Sequence, residues 1–160
     1  MMSAAARFDL VSSWRIDAPV QRVWKALADP ATWPQWWPYV RAVQTLRAGD
    51  AEGRDSVRRI DWSTRLPYRI AIEVEAVEVV RPLRLRGRAR GQLDGEGLWT
   101  LQPRGDHTEV TYIWRVRLVK PWMRCLAPLL APLFRWNHDA VMRAGEAGLR
   151  RHLRQAACRT

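Results

Sequence analysis

The 160-residue sequence predicts an α+β domain: a curved, seven-stranded antiparallel sheet wrapped around a long C-terminal helix, with two short helices after the first strand. Three observations predict it. Strand-like runs recur roughly every dozen residues between positions 40 and 118, too closely for the crossover that parallel neighbours need. One of those runs switches its apolar parity midway, as a bulge bending a long strand would require. The last third of the chain then changes to helical periodicity.

Taken in order, residues 8–17 are rich in strand formers (Phe8, Leu10, Val11, Trp14, Ile16) and read as the first strand. The period then changes. Val20, Val23, Trp24 and Leu27 recur at helical spacing, Pro19 suits a first turn, and Asp17 is placed to cap it. Asp29-Pro30 stops this helix, and a second piece of one or two turns carries Trp33, Trp36 and Trp37 on one side. Strands follow at 40–46, 56–62, 68–80, 83–91, 98–102 and 109–118, with 91–97 (GQLDGEG) as a hairpin. In 68–80 the inward set passes from Tyr68, Ile70, Ile72 and Val74 to Val77 and Val79, which marks the bulge. Residues 122–160 read as helix, interrupted in the first half by Pro128 and Pro132. One side of it collects Arg135, Asp139, Arg143, Glu146, Arg150 and Arg154; the other carries Asn137, Val141, Ala144, Gly145, Gly148 and His152. Those inward residues are small. Gly inside a helix costs about 0.5–1 kcal/mol relative to Ala, so Gly145 and Gly148 serve either close packing or a cavity.

A chain of this length fits one domain, 1–160, and buries roughly two-thirds of its unfolded surface. Ten Trp against two Phe and three Tyr skew its aromatic content to the largest ring. A net charge of +11 raises nucleic acid or an anionic membrane as partners, but the basic residues scatter from Arg7 to Arg159 instead of forming one arm. Two cysteines, Cys125 and Cys158, make neither a disulfide framework nor a metal knuckle and fit a reducing cytoplasm. Residues 1–7 lack the features of a signal peptide, and no apolar run is long enough to span a bilayer. A cytoplasmic protein, monomer or homodimer, is expected.

The element order, together with Ala18-Pro19-Val20, Val23-Trp24, Leu27-Ala28-Asp29-Pro30 and Trp33-Pro34-Gln35-Trp36-Trp37-Pro38, resembles the START-like (SRPBCC) superfamily. The opening motif is similar to that of its bacterial polyketide cyclase/dehydrase and lipid-transport branch, and the resemblance runs over about residues 8–152. It implies a helix-grip (START/Bet v 1-like) fold with a hydrophobic cavity between sheet and long helix. It implies no catalytic set, because the enzymes of this superfamily differ in their catalytic residues.

The residues themselves exclude several chemistries. His138 and His152 lie about 21 Å apart along one helix and His107 in a turn, so no metal site is expected, and no cofactor. The glycines of 91–97 do not open a helix, where backbone N–H groups would hold phosphate. No Ser or Cys sits in a nucleophile elbow. General acid/base chemistry stays open through Tyr68, Tyr112, Asn137, His138 and His152, each of which has a structural hydrogen bond as its alternative role. Arg84, Arg86, Arg88 and Arg90 share one parity of a strand and face solvent, where they either meet cross-strand carboxylates such as Glu73 and Glu75 or dock an anionic surface or acidic carrier protein. The amphipathic segment 122–136 is a lid, a membrane-touching element, a dimer surface or ordinary packing. Trp62, Trp99 and Trp114 point inward by parity and either line a cavity or fill it.

The leading expectation is a protein that binds a small hydrophobic molecule (a lipid, polyketide or isoprenoid) through Trp62, Tyr68, Ile72, Trp99, Tyr112, Trp114, Asn137, Val141 and Gly148. The alternatives are a polyketide aromatase/cyclase or dehydratase with a Tyr or His as acid/base, and an interaction module using the Arg row.

Overall fold

The computed structural model describes residues 7–67 and 69–159. Its strands β1 (Arg7–Ile16), β2 (Val40–Arg47), β3 (Val57–Ser63), β4 (Arg69–Val80), β5 (Arg84–Gly91), β6 (Leu93–Arg104) and β7 (His107–Leu118) form one antiparallel sheet in the order β1-β7-β6-β5-β4-β3-β2. β1 and β2 are consecutive in sequence yet occupy opposite edges. Residues 17–39 therefore cross the open side of the sheet, carrying α1 (Val20–Leu27), a 3-10 turn (Pro30–Thr32) and α2 (Trp33–Trp36). This crossing brings Trp33, Trp36 and Trp37 into the core. The long helix α3 (Pro121–Ala157) closes the same side. The seven-stranded curved sheet, the long C-terminal helix and the short helices after β1 are those the sequence predicts.

In β1 strict alternation buries Phe8, Leu10, Trp14 and Ile16 on one face. The bend in β4 comes from a register shift against β5 between Ala76 and Glu78, at the predicted parity switch.

Three expectations are corrected. Asp17 does not cap α1: the cap position is Pro19, with no side-chain bond, because Ala18 N–H turns back onto the Ile16 carbonyl (2.9 Å) and leaves Asp17 exposed beside Arg15. The hairpin expected over 91–97 is tighter than that span: the chain turns at Gly91 and Gln92 and β6 begins at Leu93, not at Leu98. Its glycines are strand positions where a neighbour comes close. A methyl on Gly95 would meet the Arg115 carbonyl oxygen, and one on Gly97 would lie 2.5 Å from the Tyr112 hydroxyl. Finally, α3 runs unbroken through Pro128 and Pro132. Both prolines are exposed, so water can take the carbonyls they free at Arg124 and Pro128.

The C-terminal half of α3 is tied to the rest by polar clamps. Arg22 Nη2 donates to the Leu153 carbonyl (2.7 Å), Arg150 Nε to the Arg15 carbonyl (2.8 Å), and the Arg15 N–H to Glu146 (3.1 Å). Between these clamps Leu149 is fully buried. The other half of α3 covers a smaller apolar cluster of Phe8, Leu10, Val116, Leu118 and Ala127, with Met123 and Phe134 against it.

Candidate functional site

Gly145 and Gly148 provide contact, not space. A methyl on Gly145 would lie 2.5 Å from the Trp37 indole, and one on Gly148 would fall on the Trp36 carbonyl oxygen. Trp37 also donates from Nε1 to the Val141 carbonyl (2.8 Å), fixing its ring against α3. The tryptophans of α2 thus fill the C-terminal half of the helix-sheet gap. Elsewhere the gap stays open, and a cavity of about 240 Å³ remains, bordered by residues of β1 and of β3 through β7.

The cavity walls are mostly apolar. Ile60, Trp62, Ile72 and Val74 line it from the sheet, and Phe134, Val141 and Met142 from α3. Trp62, Val74, Tyr112, Trp114 and Val141 sit inside the fold and pack on the core, yet they are only half-buried. Their remaining free surface faces the cavity. Tyr112 stacks on Trp99 at 4.1 Å and on Trp114 at 6.0 Å, which makes one flat aromatic wall.

Seven of the sequence-selected residues therefore lie on one cavity: Trp62, Ile72, Trp99, Tyr112, Trp114, Asn137 and Val141. Gly148 does not line it, because its face is taken by Trp36. Tyr68 lies outside the described residues. His152 is also turned away from the cavity, its ring 6.4 Å from that of Trp36.

Polar groups interrupt the apolar lining. Asn137 is buried and its Oδ1 accepts the Arg65 N–H (3.1 Å), tying the β3–β4 loop to α3. Neither ring nitrogen of His138 has a hydrogen-bond partner among the described residues; the closest carboxylate oxygen, on Asp139, is 3.9 Å from Nδ1. Burial lowers the His138 pKa to about 4, against the opposing pull of Asp139, so the imidazole is neutral at pH 7. Burial raises the Tyr112 pKa well above the usual phenol range, so this hydroxyl stays protonated.

Arg58 is the cavity residue that the strand pattern obscures. It lies on β3 two and four residues before the inward Ile60 and Trp62, and this shared parity is the signal that marks it. Its charge hides that signal. Its Nε and Nη1 are buried without a hydrogen-bond partner among the described residues, and Asp29 is 3.8 Å from Nη1.

The outer Arg row is partly neutralised on its own sheet. Arg84 Nε and Arg86 Nη2 both reach Glu78 at 2.7 Å, while Arg88 stands opposite Glu75 and Glu96, and Arg90 opposite Glu73. At the start of α3, Met123 and Phe134 face the cavity. Trp122, Leu126, Leu129, Leu133 and Trp136, spaced alternately by four and three residues, are exposed on its outer side. A lid hinged at the prolines is not what this unbroken helix offers.

Among the described residues no cluster of His, Cys, Asp or Glu is suited to a metal, and both cysteines are free and exposed. No helix is long and apolar enough to cross a membrane.

The family model for polyketide cyclase/dehydrase and lipid transport matches residues 7–158. Solved structures share the fold at low identity. A START superfamily protein from Mycobacterium smegmatis aligns with TM-score 0.76 at 15% identity, over 92% of this chain and 98% of that one. TTHA0849 from Thermus thermophilus aligns with TM-score 0.73 at 19% identity, over 89% and 97%. The ZhuI aromatase/cyclase from Streptomyces sp. R1128 aligns with TM-score 0.69 at 16% identity, over 94% and 98%. No curated protein matches the chain in sequence.

Proposed function

The chain belongs to the polyketide cyclase/dehydrase and lipid transport family, and from that premise we propose that residues 1–160 act as one binding domain holding a small hydrophobic molecule between sheet and α3. Membership supports a ligand-binding or polyketide-cyclising role in general. The observation that carries the narrower reading is the apolar cavity of about 240 Å³, walled by aromatic rings that are half-buried inside the fold. It exceeds the roughly 150 Å³ that admits a benzene ring. A ligand burying roughly 200 Å² of apolar surface gains about 5 kcal/mol before the cost of association, at roughly 25 cal/mol per Å². Trp62, Ile72, Trp99, Tyr112, Trp114 and Val141 are the proposed apolar contacts, with Asn137 holding the loop beside them.

A neutral fluorescent probe, N-phenyl-1-naphthylamine, tests this. It should bind saturably, and Val141→Trp, which fills the cavity from α3, should weaken binding at least tenfold while the fold is retained. Absence of saturable binding by the wild-type protein overturns the reading.

A second reading, polyketide aromatase/cyclase or dehydratase, is favoured by one observation. His138 and Tyr112 present a neutral imidazole and a protonated phenol to the same cavity. A neutral imidazole can accept a proton and a phenol can donate one. Cyclisation of a carrier-bound polyketide by the wild-type protein, lost in both His138→Gln and Tyr112→Phe while probe binding persists, would establish it. Binding without turnover leaves the first reading alone.

A further inference from the structure

Resting on the reading of the cavity as a ligand site, we propose that its ligand is an apolar carboxylic acid whose carboxylate pairs with Arg58. A guanidinium is always charged at neutral pH, and burying its N–H groups without acceptors is costly. Arg58 is buried in this manner at Nε and Nη1, and it lines the cavity. The one carboxylate in ion-pair range relieves it only in part. Asp29 is 3.8 Å from Nη1, beyond hydrogen-bond reach, and half-exposed, and Glu52, elsewhere on the lining, is exposed. Ser56, the next polar group there, already donates its hydroxyl to the Gly53 carbonyl (2.7 Å). Nε and Nη1 of Arg58 thus border an apolar space without a hydrogen-bond acceptor among the described residues.

The geometry also sets the size and charge of the ligand. Arg58, Ile60 and Trp62 lie on one face of β3, so Arg58 and Trp62 are separated by roughly 13 Å along the strand. An acid of that length would place its carboxylate between β3 and the Ala28–Pro30 corner, near the surface, and lay its apolar body along Ile60 toward the ring of Trp62. The second guanidinium on the lining, Arg86, is already held by Glu78 at 2.7 Å, and Arg58 has Asp29 at 3.8 Å, so the charge left to be met suits a single carboxylate and disfavours a doubly charged phosphate. The chemistry that fits is a fatty or fused-ring monocarboxylic acid, in preference to its neutral alcohol.

The test is competition of decanoic acid and 1-decanol against N-phenyl-1-naphthylamine at pH 7.5, where the acid is ionised. Decanoate should bind wild-type protein at least tenfold more tightly than decanol. Arg58→Met, which keeps the apolar stem, should abolish that preference by weakening decanoate alone. Asp29→Asn, by removing the competing carboxylate, should tighten decanoate severalfold and leave decanol unchanged. Equal affinity of acid and alcohol for the wild type, or a preference that survives Arg58→Met, overturns the proposal and leaves the cavity reading intact. If the neutral probe and decanol also fail to bind, the cavity reading itself falls, and this proposal with it. Should Arg58→Met not fold, the wild-type preference and the Asp29→Asn gain still decide.

Discussion

Replacing Gly148 with alanine reverses the usual effect of that change in a helix. In an unobstructed helix interior Gly→Ala stabilises by about 0.5–1 kcal/mol, since alanine has the better propensity and less unfolded-state entropy to lose. At Gly148 the added methyl lands on the Trp36 carbonyl oxygen, and the carbonyl carbon follows at 2.9 Å. These are backbone atoms of α2, anchored by Trp33 and Trp37 in the core and by the Trp37 bond to Val141, so they cannot swing aside as a side-chain end can. Overpacking costs about 1–3 kcal/mol, and an obstacle of rigid backbone puts this site in the upper part of that range, about 2–3 kcal/mol. With the propensity gain subtracted, Gly148→Ala should destabilise the protein by about 1–2 kcal/mol. For a chain of this size each kcal/mol moves the midpoint by about 2–4 °C, so thermal unfolding followed by circular dichroism should show Tm lower by about 2–8 °C. Gly87→Ala is the internal comparison. Its methyl would meet Val74 Cγ1 at 2.7 Å, a side chain that borders the cavity and has room to rotate, so its effect should be small. A Tm for Gly148→Ala equal to or above the wild type would refute the close seating of α2 on α3, and with it the division of the gap into a filled half and an open half.

His138 should make stability fall on acidification. Its imidazole takes a proton near pH 6.5 in the unfolded chain but only near about 4 when folded. Between those values the unfolded state binds more protons, so stability is lost as pH drops, by roughly 3 kcal/mol in all. Between pH 7 and 4 the urea midpoint of the wild type should therefore fall relative to that of His138→Gln; parallel curves would reject the buried neutral imidazole. Asn137→Ala strips the Arg65 N–H of its acceptor and should cost about 1–2 kcal/mol. Hydrogen exchange should show lost protection at the Arg65 amide, and an unchanged rate there would contradict the tie. Thr108→Val removes the fully buried hydroxyl that donates to the Ala18 carbonyl (2.8 Å) and keeps the side-chain shape, so chemical denaturation should report a loss of about 1 kcal/mol.

The cavity persists because the segment that could have filled it is short and borders it only through Trp33 and Trp37. Trp33, Trp36 and Trp37 lie within five residues, and the glycine faces of α3 draw them toward the helix C-terminal half. Packing contributes most where it is dense. The remaining aromatic rings come from strands, whose positions the ladder dictates, so Trp62, Tyr112 and Trp114 cannot advance to close the gap.

The sequence alone was enough for whatever depends on local periodicity. Alternation in β1, helical spacing in α1, the parity switch that becomes the Ala76/Glu78 register shift, and the order of strands and helices are all written in neighbouring residues, because side-chain direction repeats every two residues in a strand and every 3.6 in a helix. That same alternation directed Trp62, Ile72, Trp99, Tyr112 and Trp114 toward one interior. What only the tertiary structure decided concerns pairs of residues far apart in the chain. Whether Gly145 and Gly148 leave a void depends on Trp36 and Trp37, more than a hundred residues away. Whether α3 survives Pro128 and Pro132 depends on the freed carbonyls facing water. The glycines of β6 resemble turn residues until the β7 backbone is brought against Gly95. For Arg58, parity pointed inward while charge pointed outward, and only the fold, by setting Asp29 beyond hydrogen-bond reach, shows buried Nε and Nη1 donors without a hydrogen-bond acceptor among the described residues.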